Sequence, residues 1–249
     1  MQKEWRKAIV VGASSGIGEA LTRELTASGC SVVMVARRKD RLGQIVASIN
    51  GMSQNLAFAY VADVKDNFST EASFEECVKL LGGLDLFIYA AGVMPIITQT
   101  EYDTTKDILT LQTNLEGAIA WINCAAKRFE RAQSGTIIGI GSVAGDRGRR
   151  GYPVYAASKA GLDCYLESLR NRLSQYGVSI ITAKPGPVKT EMTEPLGNRP
   201  GMIDSQTAAK VILRGARKFG KTVYVPWILG TVSAILRSIP SIIMRKIKI

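Results

Sequence analysis

The alternation of two kinds of segment constrains the fold of this chain more than any other feature of its sequence. Short apolar runs rich in β-branched residues alternate with segments whose apolar residues recur every three to four positions. Such alternation is typical of a parallel sheet with helices on both faces. The predicted fold is therefore α/β, with a doubly wound, seven-stranded parallel sheet. The predicted strands are 8–11, 31–35, 56–61, 84–89, 136–140, 178–183 and 222–225, and the predicted helices are 17–25, 68–81, 107–131, 152–175 and 205–218.

The pattern divides the chain into one domain and a tail. No Pro/Ser-rich linker, repeat or low-complexity stretch interrupts residues 1–226 of the 249-residue chain, so we predict a single domain there. A sheet of this type does not require residues 227–249. Five apolar side chains at helical spacing predict an amphipathic helix in this tail: Ile228, Val232, Ile235, Leu236 and Ile239.

The basic charge of the protein is concentrated near its C-terminus. The chain carries 32 Lys and Arg against 21 Asp and Glu, a formal net charge of +11. All 21 acidic residues and 23 of the basic ones lie in residues 1–204, whereas residues 205–249 contain the other nine basic residues and no acid. A protein that binds nucleic acid more often spreads basic residues along a groove, interleaved with aromatic ones. We therefore expect no nucleic-acid partner.

The chain has four cysteines and no histidine, which limits its chemistry. Cys30, Cys77, Cys124 and Cys164 are too widely spaced for a metal-ligand pair, and zinc would lack its usual nitrogen ligands. We expect no metal, reduced thiols and a cytoplasmic protein, because the polar segment 1–7 fits no secretory signal. Acid–base chemistry at neutral pH must then use a perturbed Tyr, Lys, Cys or carboxylate.

A glycine-rich loop follows the first predicted strand and opens a helix. Glycines let the backbone approach a pyrophosphate closely, and the unpaired N–H groups of the helix N-terminus attract it. The spacing GxxxGxG is not the usual GxGxxG, but its place between strand and helix predicts a dinucleotide site. The expected binding residues in the loop are Gly12, Ser14, Ser15, Gly16, Ile17 and Gly18.

Residues after the next three strands fit the same ligand. Arg37 and Arg38 occupy the place where NAD sites usually carry an acid, and a guanidinium there suits the 2'-phosphate of NADP. Asp63 and Val64 fit an adenine edge. The small residues Ala90, Ala91 and Gly92 follow the fourth strand, where a nucleotide can lie against the backbone.

A serine, a tyrosine and a lysine form the sharpest chemical constellation. Ser142 follows the fifth strand, and Tyr155 and Lys159 are four residues apart, so they share one face of the next helix. A phenol has an ordinary pKa near 10, and a neighbouring ammonium together with a cationic nicotinamide favours the phenolate. Ser142 can then hydrogen-bond a substrate oxygen and orient it.

Taken together, these motifs resemble the classical short-chain dehydrogenases/reductases over about residues 7–225. The resemblance also rests on Asn114 and on the segment PGPVKT at 185–190. It implies a Rossmann-type fold and NADP-dependent interconversion of a ketone and an alcohol, with reduction as the expected direction. Tyr155 would be the acid/base, Lys159 would lower its pKa, Ser142 would polarise the carbonyl, and Asn114 would anchor a water leading to Lys159. In addition to these residues, Pro185, Gly186, Val188 and Thr190 would lie beside the nicotinamide.

Substrate and partners are less tightly constrained. The segment with Met192, Pro195, Leu196, Pro200 and Met202 favours a hydrophobic or lipid-like substrate, although three arginines at 147, 149 and 150 could meet an acidic group. Family members commonly form homodimers or homotetramers through the helices predicted here at 107–131 and 152–175. A non-catalytic nucleotide sensor or a membrane scaffold on the same fold is the alternative.

Two interpretations of the tail stay open. The helix could pack against the substrate opening or a neighbouring subunit, or it could lie on a membrane with its basic residues on anionic head groups. The uncharged run 222–236 has 15 residues, fewer than the roughly 20 that span a bilayer, so we expect no transmembrane helix.

Overall fold

The sheet has seven parallel strands, as predicted. In a computed structural model that describes residues 4–52, 56–197, 201–218 and 221–247, the strand order is β3-β2-β1-β4-β5-β6-β9. These strands are β1 (Lys7–Val11), β2 (Ser31–Ala36), β3 (Ala57–Val61), β4 (Leu86–Tyr89), β5 (Gly135–Ile140), β6 (Val178–Pro185) and β9 (Thr222–Val225). The remaining two, β7 (Val188–Lys189) and β8 (Ile203–Asp204), form a small separate pair.

Helices cover both faces of the sheet. They are α1 (Gly16–Ala27), α2 (Lys39–Asn50), α3 (Thr70–Leu81), α4 (Thr104–Leu111), α5 (Gly117–Ala132), α6 (Pro153–Leu173), α7 (Ser205–Lys218), α8 (Ile228–Ser238) and α9 (Ser241–Met244). Alternate residues of each strand enter opposite cores: Val10 packs with α1, α2 and α7, whereas Ile9 packs with α3, α5 and α6. Because both faces are buried, the strands read as continuous apolar runs.

The prediction differed from the structure at three places. It assigned no helix between the second and third strands, where α2 buries only Leu42, Ile45 and Ile49. It also lacked the short pair β7–β8. The helix predicted at 107–131 begins earlier, at Thr104, where the Asp103 carboxylate accepts hydrogen bonds from the first-turn N–H groups, and a π-helical segment, Gln112–Glu116, joins its two halves.

The doubly wound order determines where a ligand can bind. The chain moves outward from β1 to β3 and then crosses back to place β4 on the other side of β1. Open sheets of this kind bind ligands at the carboxyl ends of the strands beside this switch point. The residues after β1, β4 and β5 therefore lie together at one edge of the sheet.

The tail docks through the side of α8 that carries Leu229 and Ser233 and leaves much of its predicted apolar face uncovered. Ser233 of α8 is buried, and α8 packs on β9 and on the turn Val143–Asp146. Ile228, Val232 and Ile235 are exposed, as are Trp227, Ile242 and Ile243 outside α8. Only Leu236 and Ile239 of the predicted apolar face are half-buried. No helix in the described part of the chain is long and apolar enough to cross a membrane, and Lys248 lies outside that part.

Candidate active site

The glycine loop packs directly against the end of β4. Gly12 has a φ of +85°, a left-handed conformation that favours glycine, and its N–H donates to the Val35 carbonyl at 2.8 Å. A Cβ at Gly12 would overlap the backbone of Ala91, and one at Gly18 would overlap the Gly12 carbonyl. Because these two positions have no side chain, the N-terminal N–H groups of α1 stay accessible at the strand ends, as a pyrophosphate site requires.

A cavity of about 700 Å³ extends from this loop across the carboxyl ends of the strands. Its wall contains every predicted cofactor-binding residue except Asp63 and Asn114: Gly12, Ser14, Ser15, Gly16, Ile17, Gly18, Arg37, Arg38, Val64, Ala90, Ala91, Gly92, Tyr155, Lys159, Pro185, Gly186, Val188 and Thr190. We call it the dinucleotide cavity, because its glycine-lined, N–H-rich end and its basic corner fit a phosphate-bearing nucleotide.

Arg38 lies across the mouth of the glycine loop. Its guanidinium donates to the Ser14 hydroxyl at 3.1 Å and to the Ser15 hydroxyl at 2.7 Å. It also pairs with Glu191 at 2.7 Å, and this hydrogen bond lowers the pKa of Glu191. Sequence reasoning missed Glu191, although it directly follows the PGPVKT segment. Arg37 instead faces Asp63, with a nitrogen–oxygen distance of 3.8 Å.

Asn114 is buried, and its side-chain amide forms three hydrogen bonds. It lies in the π-helical segment, where its Oδ1 accepts from the Val93 N–H at 2.7 Å and its Nδ2 donates to the Val93 carbonyl at 2.9 Å and the Ser158 hydroxyl at 3.1 Å. Ser158 in turn donates to the Tyr155 carbonyl at 2.8 Å. A Cβ at Gly92 would lie 3.4 Å from Asn114 Oδ1 and 3.6 Å from Lys159 Nζ. Asn114 therefore ties the loop after β4 to the start of α6.

Ser142, Tyr155 and Lys159 meet at the junction of β5 and α6. Burial raises the pKa of Tyr155, and a hydrogen bond with Ser142 acts in the opposite direction. Lys159 is buried, and its Nζ donates to the Ile140 carbonyl at 2.8 Å and lies 5.9 Å from the centre of the Tyr155 ring. Burial lowers the pKa of Lys159 to about 8. The protein alone thus does not produce the lowered tyrosine pKa that the sequence predicts.

An ion network that sequence reasoning missed underlies this junction. Lys184, at the end of β6, lies 2.6 Å from Asp146 and 2.9 Å from Asp163, and all three side chains are nearly buried. Asp163 is on α6, one turn beyond Lys159, and burial raises its pKa to about 6. Arg237 of α8 pairs with Asp146 at 3.0 Å and hydrogen-bonds Tyr224 at 2.6 Å. The network joins the tail to the helix that carries Tyr155.

A second cavity, of about 520 Å³, adjoins the first and is the candidate substrate cavity. Its wall includes Met192, Leu196 and Met202 from the predicted substrate segment, together with Arg149 and Arg150. Pro195 lines the dinucleotide cavity instead, and Pro200 lies outside the described residues. Ser142 and Tyr155 line both cavities. The two side chains therefore stand where the contents of one cavity would meet those of the other.

Comparisons with known proteins agree with this geometry. The family model for short chain dehydrogenases matches residues 6–201. An uncharacterised oxidoreductase of Mycobacterium tuberculosis is 31% identical over 224 residues, which cover 89% of this chain and 88% of that protein. Another from Staphylococcus epidermidis is 30% identical over 187 residues, covering 75% of this chain and 80% of that protein.

Solved structures show the same fold. A short chain dehydrogenase/reductase family protein, 27% identical, superposes with a TM-score of 0.78 over 90% of this chain and 97% of its own. ElxO, solved with NADP bound, is 20% identical and superposes with a TM-score of 0.80 over the same shares. The seven-stranded Rossmann-like fold predicted from the sequence is thereby confirmed. The chain belongs to the short-chain dehydrogenase/reductase family, whose oxidoreductases use a nicotinamide cofactor.

Proposed function

We propose that this protein is an NADP(H)-dependent oxidoreductase that interconverts a ketone and a secondary alcohol, with reduction as the favoured direction. The observation that carries the proposal is the shared wall on which Ser142 and Tyr155 face both the dinucleotide cavity and the substrate cavity. In this proposal residues 1–226 form the cofactor-binding catalytic domain, and residues 227–249 form a tail.

The residues on and beside this wall have separate roles in the proposed reaction. The nicotinamide, when bound, supplies or accepts the hydride. The Ser142 hydroxyl binds the substrate oxygen and polarises the carbonyl, and the Tyr155 hydroxyl gives its proton to that oxygen during reduction. Lys159, a buried cation near the ring, stabilises the phenolate that remains, because an opposite charge favours the ionised form of a group. Asn114 is a positioning residue that holds the backbone around Tyr155 and Gly92.

Replacement of Tyr155 by Phe tests the mechanism. The variant keeps the ring but removes the hydroxyl, so we expect the rate of hydride transfer to fall by about 100- to 10,000-fold, the usual contribution of a general acid. Tyr165→Phe is the matched control, because Tyr165 lies on the same helix and its hydroxyl bonds Asn123 at 2.7 Å outside both cavities. Unchanged single-turnover rates in Tyr155→Phe would show that another group donates the proton.

The proposed preference for NADP rests on Arg38. Its guanidinium lies beside Ser14 and Ser15 at the glycine loop, where it can bind a 2'-phosphate through charge-assisted hydrogen bonds. Glu191 forms an ion pair with the same guanidinium, and this ion pair would have to break when the phosphate binds. We therefore expect Glu191→Gln to tighten NADPH binding and to leave NADH binding nearly unchanged, as measured by fluorescence titration.

We also propose that the tail contacts an anionic membrane surface from the cytoplasmic side. Trp227, Ile228, Ile235 and Ile242 are exposed, and residues 205–249 contain basic residues without any acid. Apolar side chains flanked by cations are what an interfacial helix presents to lipid. Co-sedimentation with anionic vesicles should fall when residues 228–249 are deleted, and equal partitioning of both forms would contradict the contact.

The remaining expectations belong to the same proposal. A hydrophobic or lipid-like substrate fits the methionine- and leucine-lined wall of the substrate cavity. A homodimer or homotetramer would use the surfaces of α4–α5 and α6. A nucleotide sensor or scaffold without activity would need none of the Ser142, Tyr155 and Lys159 arrangement. NADPH consumption across a panel of ketones, with NADH as control, separates the enzyme from these alternatives.

A further inference from the structure

A third cavity lies under the tail, between the loop after β5, the first turns of α6 and the segment around α9. Its volume is about 620 Å³. Among the described residues, four arginines and no acidic residue line it: Arg147, Arg149, Arg150 and Arg245. We call it the arginine cavity. Four cations around one space are unusual in a protein where other guanidiniums, such as those of Arg38 and Arg237, are paired with carboxylates.

Within the described part of the chain, no carboxylate balances the charge of the arginine cavity. Among the described residues, none of its four arginines forms an ion pair. Arg147 donates to the Ile239 carbonyl at 3.0 Å and Arg150 donates to the Arg245 carbonyl, but neutral acceptors do not cancel a charge. The Nε of Arg149 is buried and has no hydrogen-bond partner in the described structure. Burial of an unpaired donor and repulsion between like charges both cost free energy that a bound anion would recover.

Apart from Ser241, the other described side chains of the wall are apolar, which restricts the anion further. Small and aliphatic side chains line it, namely Pro153, Ala156, Ala157, Ala160, Met244 and Ile247. A free inorganic anion would gain nothing from these surfaces, whereas a ligand with a hydrocarbon chain would bury apolar area against them. The wall therefore fits an amphipathic anion.

The arginine cavity adjoins the substrate cavity. Ala144, Arg149, Arg150 and Ala156 line both of them, and Ser142 and Tyr155 also line the substrate cavity. An extended ligand that crosses this shared wall would place an acidic group among the arginines and a carbonyl beside Tyr155. A small neutral ketone would occupy only the substrate cavity.

We propose that the arginine cavity binds the anionic head group of an amphipathic, alkyl-chain substrate whose carbonyl is held at Ser142 and Tyr155. This inference rests on the proposed reductase function for the role of the carbonyl, but the binding of the head group does not depend on turnover. Arg149 is the principal contact, because its buried Nε faces no other acceptor. The head group is a carboxylate or a phosphate, since a guanidinium binds either through two parallel hydrogen bonds.

Calorimetric titration of the full-length Tyr155→Phe variant tests the inference separately from catalysis. The probes are decyl phosphate and decanoate below their micelle concentrations, the neutral analogue decanol, and inorganic phosphate. We expect both anionic probes to bind at least tenfold more tightly than decanol, with inorganic phosphate competing only weakly. Loss of activity in Tyr155→Phe with retained binding of the anionic probes would support both proposals, whereas loss of activity without any binding of these probes would overturn only this one.

Substitutions locate the bound anion. Arg149→Gln should weaken the binding of decyl phosphate by about 10- to 100-fold, the value of a charge-assisted hydrogen bond, and Arg149→Lys should restore part of it. Lys246→Gln is the matched control, because it removes one positive charge from the same region outside the cavity wall. Equal losses of decyl phosphate affinity in Arg149→Gln and Lys246→Gln would overturn the proposal. So would decanol binding as tightly as decyl phosphate, or a protein that binds anionic vesicles but neither of the soluble anionic probes.

Discussion

Replacement of Lys184 by Met measures how much the buried ion network contributes to the free energy of unfolding. The variant keeps most of the aliphatic stem and removes the ammonium that lies 2.6 Å from Asp146 and 2.9 Å from Asp163. The exposed fractions of the three side chains are 10%, 2% and 12%, so solvent cannot replace the lost charge. Breaking a buried pair by removing one partner typically costs about 3–5 kcal/mol.

Two features of the network place the expected loss near the lower end of that range. Arg237 still pairs with Asp146 at 3.0 Å. Asp163 can also take up a proton, because its pKa is already about 6 in the intact network. We therefore expect a loss of about 3 kcal/mol at pH 7. For a domain of this size, that corresponds to a fall in Tm of about 6–12 °C.

The loss should depend on pH with a definite sign. The folded-state pKa of Asp163 lies above its unfolded value, so the folded protein binds the extra proton and gains stability as pH falls through about 6. Without Lys184 this pKa rises further. The difference in unfolding free energy between wild type and Lys184→Met should therefore be smaller at pH 5 than at pH 8.

Urea denaturation of both proteins at the two pH values measures this difference. Lys189→Met is the matched control, because Lys189 is an exposed lysine five residues further along the chain. We expect that control to change stability by less than about 0.5 kcal/mol. A loss below 1 kcal/mol in Lys184→Met, or one that is identical at pH 5 and pH 8, would refute the reasoning.

Four further changes address the cofactor site, helix α2 and the tail. Arg38→Gln should raise the KM for NADPH by about 10- to 100-fold and leave that for NADH nearly unchanged, and equal effects on both would contradict a 2'-phosphate site. Gly12→Ala should abolish dinucleotide binding and destabilise the fold by more than 1 kcal/mol, because its methyl group would overlap Ala91 at a φ of +85°. Gly43→Ala, in the middle of α2 with no described atom within 4 Å of its Cβ, should instead stabilise the protein by about 0.5–1 kcal/mol, and urea denaturation measures both changes in stability. Arg237→Ala should lower the Tm and loosen the tail, as seen by faster proteolysis beyond residue 226.

The sequence predicts those features that depend on local pattern. The strands are buried on both faces and read as unbroken apolar runs, and the glycine loop is contiguous in the chain, so both are visible without the structure. Tyr155 and Lys159 share a helix face by spacing alone. Helix α2 was missed because only three of its twelve residues are buried, which leaves a weak apolar period.

What the sequence does not predict are contacts between distant strand ends. Arg38 and Glu191 are 153 residues apart and meet at the edge of the sheet where the parallel strands β2 and β6 both end. The partners of Lys184 likewise come from a turn and a helix that the fold alone brings together. The pKa of Tyr155 is another case, because spacing reveals the neighbouring Lys159 but not the burial that raises this pKa.

The hydrogen bonds that hold the tail have a consequence for how its sequence can vary. Arg147 and Arg150 donate to the main-chain carbonyls of Ile239 and Arg245, and Arg147 also donates to the Ser241 hydroxyl at 3.5 Å. Substitutions in this part of the tail that keep its backbone path therefore keep both attachments. The loop after β5 thus contributes to the position of this segment independently of the tail's own side chains, so exposed residues such as Ile242 and Ile243 can diverge without breaking these two main-chain attachments.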